Sequence, residues 1–366
     1  METTLEITKE GMKIVYEPKL LYKLFTKLKI SEKLSYSMGE KVIIDPTKIE
    51  CLKSTKRSSI YKLLLRKKSG YYPIIFKVYS STTQKNEVEI NIYKKLHPLL
   101  KEFLPQIYLI EKNLNEDWVF MEFVNQIRGQ LKFTPKHLDY IIPTVAKLHA
   151  RTFEDKFKKY NDAWSSWLPT YDSASARKER EKYIEKTVVF LDEAVSDDRT
   201  KDLVKPYYES LIKLYSKGPD FFSEILECGS SLTHGDLHMQ NICSKDVTKD
   251  DPWNIQFIDW ESARYAPTWF DMVVLVEILL GFRADWQKYA EEIRNHCIVT
   301  YVNEMKKHGI KFKTDPRDLY KMAYLQRTLE KGLHTQLRRI FDNRGGELLG
   351  YHLEKVATWG RELGID

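Results

Sequence analysis

Within eight residues, His234-Gly235-Asp236-Leu237-His238-Met239-Gln240-Asn241, the chain sets two histidines, a carboxylate and a carboxamide around one glycine. The glycine interrupts any helix there and favours a tight loop. Eighteen residues after Asn241, behind the short apolar-rich run 255–258, comes Asp259, in Ile258-Asp259-Trp260-Glu261. The order is loop, strand, acid. In phosphoryl transfer one Asp accepts the proton of the attacking hydroxyl, and an Asn five residues on reaches a magnesium ion. A second Asp holds the magnesium that bridges the ATP phosphates, because hard cations prefer carboxylate oxygen. Asp236, Asn241 and Asp259 are those residue types at those spacings.

The motif resembles that of the aminoglycoside phosphotransferase and choline kinase-like family, a branch of the protein-kinase-like superfamily. There the loop reads HGDLHxxN and is followed by a DW or DF pair. The resemblance extends from about residue 49 to about residue 276. It implies an α+β, bilobal protein-kinase-like fold. The small N-terminal lobe would hold a five-stranded antiparallel sheet and one helix, and the larger C-terminal lobe would be mainly helical. The sharpest change of composition, near 125–129, places the boundary between 1–124 and 125–366.

Hydrophobic periodicity agrees with that division. Apolar residues at Leu20, Leu21, Leu24, Phe25 and Leu28 have a helical period. The runs 47–53, 60–65, 73–79, 105–110 and 118–123 are rich in branched and aromatic residues between polar breaks, as strands are. Val88, Ile92, Leu96, Leu99 and Leu100 predict a helix over 84–100. Beyond residue 134 helical patterns dominate, at 138–157, 174–194, 201–216, 269–280, 286–308 and 319–340.

The resemblance assigns further site residues. Lys77, on a strand, would hold the α and β phosphates, and Glu89 on the 84–100 helix would pair with it, with Glu87 as the alternative. Phe120-Met121-Glu122-Phe123-Val124 is similar to the strand that becomes the interlobe hinge, with Met121 as gatekeeper. The carbonyl of Glu122 and the amide of Val124 would face adenine. The phosphate-covering loop would be 54–59, and here the chain departs from pattern, since it has no glycine. Turn amides and the hydroxyls of Ser54, Thr55, Ser58 and Ser59 would replace it. His234 and His149 are expected to pack and brace, His238 to orient the loop or approach substrate. Asp271 resembles the aspartate that hydrogen-bonds the catalytic loop from beneath.

The implied cofactors are ATP and Mg2+, and the implied partner is a small hydroxyl-bearing substrate. Two features separate this from a protein kinase. The 109 residues between Val124 and His234 are too many, and Asp259-Trp260-Glu261 is followed by no Ala-Pro-Glu. A catalytically silent relative would usually lack one of Lys77, Glu89, Asp236, Asn241 or Asp259, and all are present. A zinc hydrolase built on His234 and His238 fails because the Glu of HExxH is missing. Segment 161–230 offers an acidic cluster, Asp192, Glu193, Asp197 and Asp198, and the aromatics Trp164, Trp167 and Tyr171. These are the features an aminoglycoside or a choline would need, but a solvated helix end and a core explain them equally.

With 42% hydrophobic and 13% aromatic residues, 366 residues suffice for two packed domains. The formal charge of +7 lies wholly in the first 125 residues. Lys53, Lys56, Arg57, Lys62, Arg66, Lys67, Lys68 and Lys77 suit a polyanion such as ATP as well as a solvated face. No nucleic-acid partner is expected. Glu2, Glu6, Lys9 and Glu10 at the start argue against a secretory signal. The apolar run 272–282 contains Glu277 and falls short of the roughly 20 residues of a membrane span. Cys51, Cys228, Cys243 and Cys297 form no CxxC pair. A cytoplasmic protein without a disulfide framework or membrane segment is the expectation.

Overall fold

The computed structural model describes residues 5–8, 11–14, 16–55, 57–80, 83–247 and 252–365. Lys56 and part of the acidic start, Glu2, Lys9 and Glu10, lie outside them. The chain divides into two compact units, Met1–Gln130 with Ile242–Ser262, and Leu131–Asn241 with Ala263–Asp366. Segment Ile242–Ser262 therefore returns to the first unit, which a single cut near residue 125 does not anticipate.

In the first unit, β1 (Leu5–Thr8) and β2 (Gly11–Ile14) form a hairpin. The five expected strands follow as β3 (Ile43–Ser54), β4 (Ser58–Lys67), β5 (Gly70–Ser80), β6 (Ile107–Asn113) and β7 (Glu116–Glu122). They form one antiparallel sheet in the order β3-β4-β5-β7-β6. Its register slips between Ile44 and Ile49, where Pro46 has no amide to give the ladder.

Strand side chains alternate between faces. Tyr61, Phe76, Trp118 and Phe120 form one face of the sheet, and Phe76 stacks on Phe120 with centroids 4.6 Å apart. The anticipated N-terminal helix, Pro18–Lys27, buries Leu21 and Phe25 against this face. Phe25 meets Phe76, Trp118 and Phe120 edge-on at 5.1, 5.7 and 5.8 Å. Burying such a side chain contributes about 1.5–3 kcal/mol. A second helix, Ile30–Met38, follows in the same core with Ile30 and Leu34. The expected helix over 84–100 is Gln84–Lys95 plus a short turn, His97–Leu100; Thr83 Oγ1 caps it by accepting the Asn86 amide.

The second half of this unit is a short antiparallel pair, Ile242–Ser244 with Ile255–Phe257. It is pinned by backbone bonds from Ile127 to Ile242 at 3.0 Å, from Ser244 to Asn125 at 3.0 Å and from Phe257 to Phe103 at 2.8 Å.

The second unit is mainly helical. Ala174–Ala194 has the expected bounds, and Trp269–Phe282 is buried on nearly every side. The pattern at 138–157 is helical to Arg151, and that at 201–216 breaks around Pro206 into Lys201–Val204 and Tyr208–Tyr215. The pattern at 286–308 becomes a 3-10 turn and the helix Ala290–Lys307. The pattern at 319–340 is Pro316–Arg327 and Leu333–Phe341, separated by a π turn, Thr328–Gly332. A last helix, Leu349–Glu362, was not anticipated. Strands Ser230–Thr233 and Arg264–Pro267 pair antiparallel. No helix among the described residues is long and apolar enough to cross a membrane.

Candidate active site

Because β5 alternates, Phe76 and Val78 enter the aromatic core while Lys77 lies on the other face, opposite Val119 of β7. There Lys77 Nζ donates to Glu89 Oε2 at 2.7 Å and to Asp259 Oδ1 at 3.3 Å. Lys77 and Glu89 are both buried, whereas Asp259 is more than one-third exposed. Burial is the largest influence on the ammonium and lowers its pKa, but the two carboxylates outweigh it and hold the group above its usual value. Burial pushes the Glu89 carboxyl up. The Tyr93 hydroxyl donates to its second oxygen at 2.8 Å, and Glu87 is exposed. Asp259 follows the strand Ile255–Phe257 in the left-handed region, φ 67°, which a short polar side chain tolerates.

The glycine-free loop closes on itself. Thr55 Oγ1 accepts the amides of Arg57 at 3.2 Å and Ser58 at 3.1 Å, and the Thr55 amide donates to the Ser58 carbonyl at 2.9 Å. Two amides expected to face phosphate are thus occupied inside the turn. The Ser54 and Ser59 hydroxyls bond each other at 2.9 Å. Sequence reading missed that the Arg57 guanidinium pairs with Glu261 at 3.1 Å, with Lys85 3.6 Å from the same carboxylate oxygen. In the expected hinge strand Met121 and Glu122 are buried. The Glu122 amide donates to the Gln106 carbonyl at 2.8 Å, and its carboxylate pairs with Lys245. The amide of Val124 has no backbone partner among the described residues.

In the second unit, Gly235 (φ 79°) provides the left-handed turn that opens the loop. Asp271, in the first turn of Trp269–Phe282, accepts the His234 amide at 2.7 Å and the Gly235 amide at 2.8 Å. His149 supports it, with Nε2 3.1 Å from Asp271 Oδ2 and Nδ1 2.8 Å from the Tyr301 hydroxyl. His234 is fully buried, as a brace should be. Asn241 Nδ2 donates to the Asp236 carbonyl at 2.8 Å, which leaves Oδ1 as an acceptor. His238 Nε2 lies 3.5 Å from Asp236 Oδ2. Burial is the largest influence on Asp236 and raises its pKa. The His238 hydrogen bond and the charges of His238, His234 and Arg327 together outweigh it, holding the carboxyl below its usual value. An ionised carboxylate is what a proton acceptor requires.

Arg327, which the sequence did not single out, donates from Nη2 to the Gly235 carbonyl at 3.0 Å. Near it a cavity of ≈ 30 Å³ is lined by Glu179, Arg180, Tyr183, Arg264, Glu330 and Lys331. The acidic cluster and the aromatics take the plain reading. Asp197 and Asp198 pair with Arg199 and Lys201 at the surface. Trp164 stacks on Phe157 at 4.7 Å, and Tyr171 donates to Glu330 at 2.8 Å.

Among the described residues no three His, Cys, Asp or Glu side chains cluster closely enough to hold a metal ion. The carboxylate of Asp259 and the carboxamide oxygen of Asn241 are nevertheless hard donors.

Among solved structures, the chain is similar to a choline kinase from Cryptosporidium parvum, at 14% identity, covering 93% of this chain and 97% of that one with a TM-score of 0.60. It is also similar to an ethanolamine kinase from Plasmodium vivax, at 16% identity, covering 96% of each chain with a TM-score of 0.52. An aminoglycoside phosphotransferase from Streptomyces rimosus, in complex with ADP and streptomycin, matches at 14% identity over 87% of this chain and 98% of that one, TM-score 0.47. No curated protein sequence matches. The chain has the kinase-like fold of these choline and ethanolamine kinases. Residues 76–313, which include Lys77, Glu89, Asp236, Asn241 and Asp259, match a family described as ecdysteroid kinase-like. The chain belongs to the ecdysteroid kinase-like family.

Proposed function

We propose that this protein is an ATP- and magnesium-dependent kinase that transfers the γ-phosphoryl group to a hydroxyl of a small molecule. The observation that carries this reading is Lys77, a buried lysine kept charged between Glu89 and Asp259. An ammonium so placed can bind phosphate oxygens while Glu89 fixes its position. Met121, Glu122 and Val124 would border adenine. With two loop amides occupied, the phosphate contacts of 54–59 fall to the hydroxyls of Ser54, Ser58 and Ser59 and to the guanidinium of Arg57.

Asn241 and Asp259 would hold magnesium, which when bound neutralises charge on the transferred phosphate. Asp236 orients the acceptor hydroxyl and takes its proton. His238 and Arg327 keep Asp236 ionised, and Asp271 fixes the loop that carries it.

The family description suggests a polyhydroxylated steroid of ecdysteroid type as acceptor. The charges near the loop support a non-cationic acceptor, since Arg264, Arg327 and Lys331 would repel a quaternary ammonium or an aminoglycoside. The test is ADP release with ecdysteroids, sugars, amino alcohols and aminoglycosides, with phosphorus resonance to identify the product. Asp236→Asn should bind nucleotide and lose roughly 10²- to 10⁴-fold in turnover. ATP binding without ADP release on any acceptor, or full turnover by Asp236→Asn, would refute the reading.

A further inference from the structure

The helical pattern at 319–340 predicts an unbroken amphipathic helix, but the π turn at Thr328–Gly332 interrupts it. Such turns add a residue to one helical turn and re-aim the side chains around it. Here they separate Arg327, bonded to the catalytic loop, from Glu330 and Lys331, which line the small cavity.

Two cations line that cavity and form no ion pair among the described residues. Arg264 forms no ion pair among the described residues, and its Nε is sealed from solvent without a hydrogen-bond partner. Lys331 is exposed at the mouth of the cavity, with its ammonium over the Tyr183 ring, 4.7 Å from the centroid. Burial, with the charges of Arg264 and Arg327, pushes the Lys331 ammonium below its usual pKa. The charges of Glu179 and Glu330 oppose this shift without reversing it. Arg180 is engaged by Asp220 at 2.8 Å and the Tyr171 carbonyl at 2.6 Å, and Glu330 accepts the Tyr171 hydroxyl. Glu179 also lines the cavity and makes no ion pair with either cation.

A buried donor without a partner costs about 1–3 kcal/mol, more when charged. The Arg264 Nε is such a donor, and with the Lys331 ammonium on the same space it makes a poor structural device and a good anion receptor. A volume of ≈ 30 Å³ fits about two waters or one small oxyanion, not a whole sugar or steroid. The charges also run continuously from the cavity to the loop. Lys331 feels Arg264 and Arg327, and Arg327 in turn feels Asp236 and Asp271.

We propose that Arg264 and Lys331 form an oxyanion subsite on the acceptor side of the reaction, which takes one carboxylate, sulfate or phosphate group. Its role rests on the kinase reading; its binding chemistry does not. The oxyanion has two possible sources, a group already on the acceptor or the phosphoryl group just transferred.

The test uses the full chain with inorganic phosphate and sulfate as probes, read by thermal unfolding and by calorimetry against chloride at equal ionic strength. Wild type should be stabilised by either anion. Arg264→Gln and Lys331→Gln should each weaken phosphate binding about tenfold, and should melt at or above wild type when no anion is added. The proposal is overturned if wild type shows no anion-specific stabilisation, if both variants retain it, or if they melt several degrees lower without anion, which would make the cations structural. Repeating the titration with MgADP separates the sources, because coupled binding identifies the transferred phosphoryl group and independent binding identifies the acceptor's own group. Nucleotide need not bind for the first arm to succeed, so failure of the kinase reading would leave anion binding intact.

Discussion

Asp271 accepts the backbone amide of His234 at 2.7 Å, from a carboxylate that also holds the Gly235 amide and faces His149. Burial is the strongest influence on this carboxyl and raises its pKa, yet the His149 bond, the charges of His149 and His234 and the His234 amide together hold it below its usual value. The backbone just before Asp236 is therefore fixed by a buried anion in the second unit. An Asn at 271 has one oxygen for two amides and turns its own N–H₂ toward the other.

Asp271→Asn should therefore lower turnover on the order of 10²-fold with little change in ATP affinity. It should also cost about 1–3 kcal/mol of stability in urea unfolding, since a buried amide loses its acceptor. Unchanged turnover together with unchanged stability would show that the loop is held by other contacts.

The Lys77–Glu89 pair makes a different prediction, about coupling. Removing one partner of a buried ion pair leaves an uncompensated charge and costs about 3–5 kcal/mol, whereas replacing both can be nearly neutral. Lys77→Met and Glu89→Leu should each destabilise strongly, and the double variant by clearly less than their sum. Asp259 limits the effect, because it still faces Lys77 when Glu89 is gone. Strict additivity in denaturant unfolding would show that the pair is not coupled.

The same contacts separate what the sequence carries from what it does not. Lys77 and Glu89 were singled out by resemblance, Glu89 because it precedes Ile92 and Tyr93 by three and four positions, and the strand and helix that carry them bring them within 2.7 Å. The strands were legible because their side chains alternate, with aromatics and branched residues on the face that the two N-terminal helices cover. The return of Ile242–Ser262 to the first unit was not, because it depends on backbone bonds to Asn125, Ile127 and Phe103 that carry no side-chain signature. Arg264 and Lys331 were missed for another reason. Isolated basic residues look solvated in a sequence, and here a strand start and a π turn far apart in the chain place them on one cavity.

His352 gives a pH dependence. Burial pushes its imidazole down to about 4, with Nδ1 2.6 Å from the Tyr324 hydroxyl. The unfolded chain protonates near 6.5. Between about 6.5 and about 4 the unfolded state binds more protons than the folded one, so stability falls as pH falls through that window and then levels off. The contribution is at most about 3 kcal/mol. Urea unfolding across this range should show a shallower decline for His352→Asn than for wild type, and equal slopes would remove His352 as the cause.

Arg57 separates phosphate recognition from folding. Its ion pair with Glu261 is partly exposed, with side chains 42% and 23% accessible, so it adds no more than about 1 kcal/mol to stability. A charge-assisted bond to a nucleotide phosphate is stronger, about 1.5–3 kcal/mol. Arg57→Ala should therefore unfold like wild type yet bind ATP about tenfold more weakly, with adenosine affinity unchanged. Glu261→Gln releases the guanidinium from its competitor and should not weaken ATP binding. Calorimetry with ATP, AMP and adenosine decides it: a loss of ATP affinity in Glu261→Gln equal to that in Arg57→Ala would mean that the ion pair itself, rather than the free guanidinium, shapes the loop for phosphate.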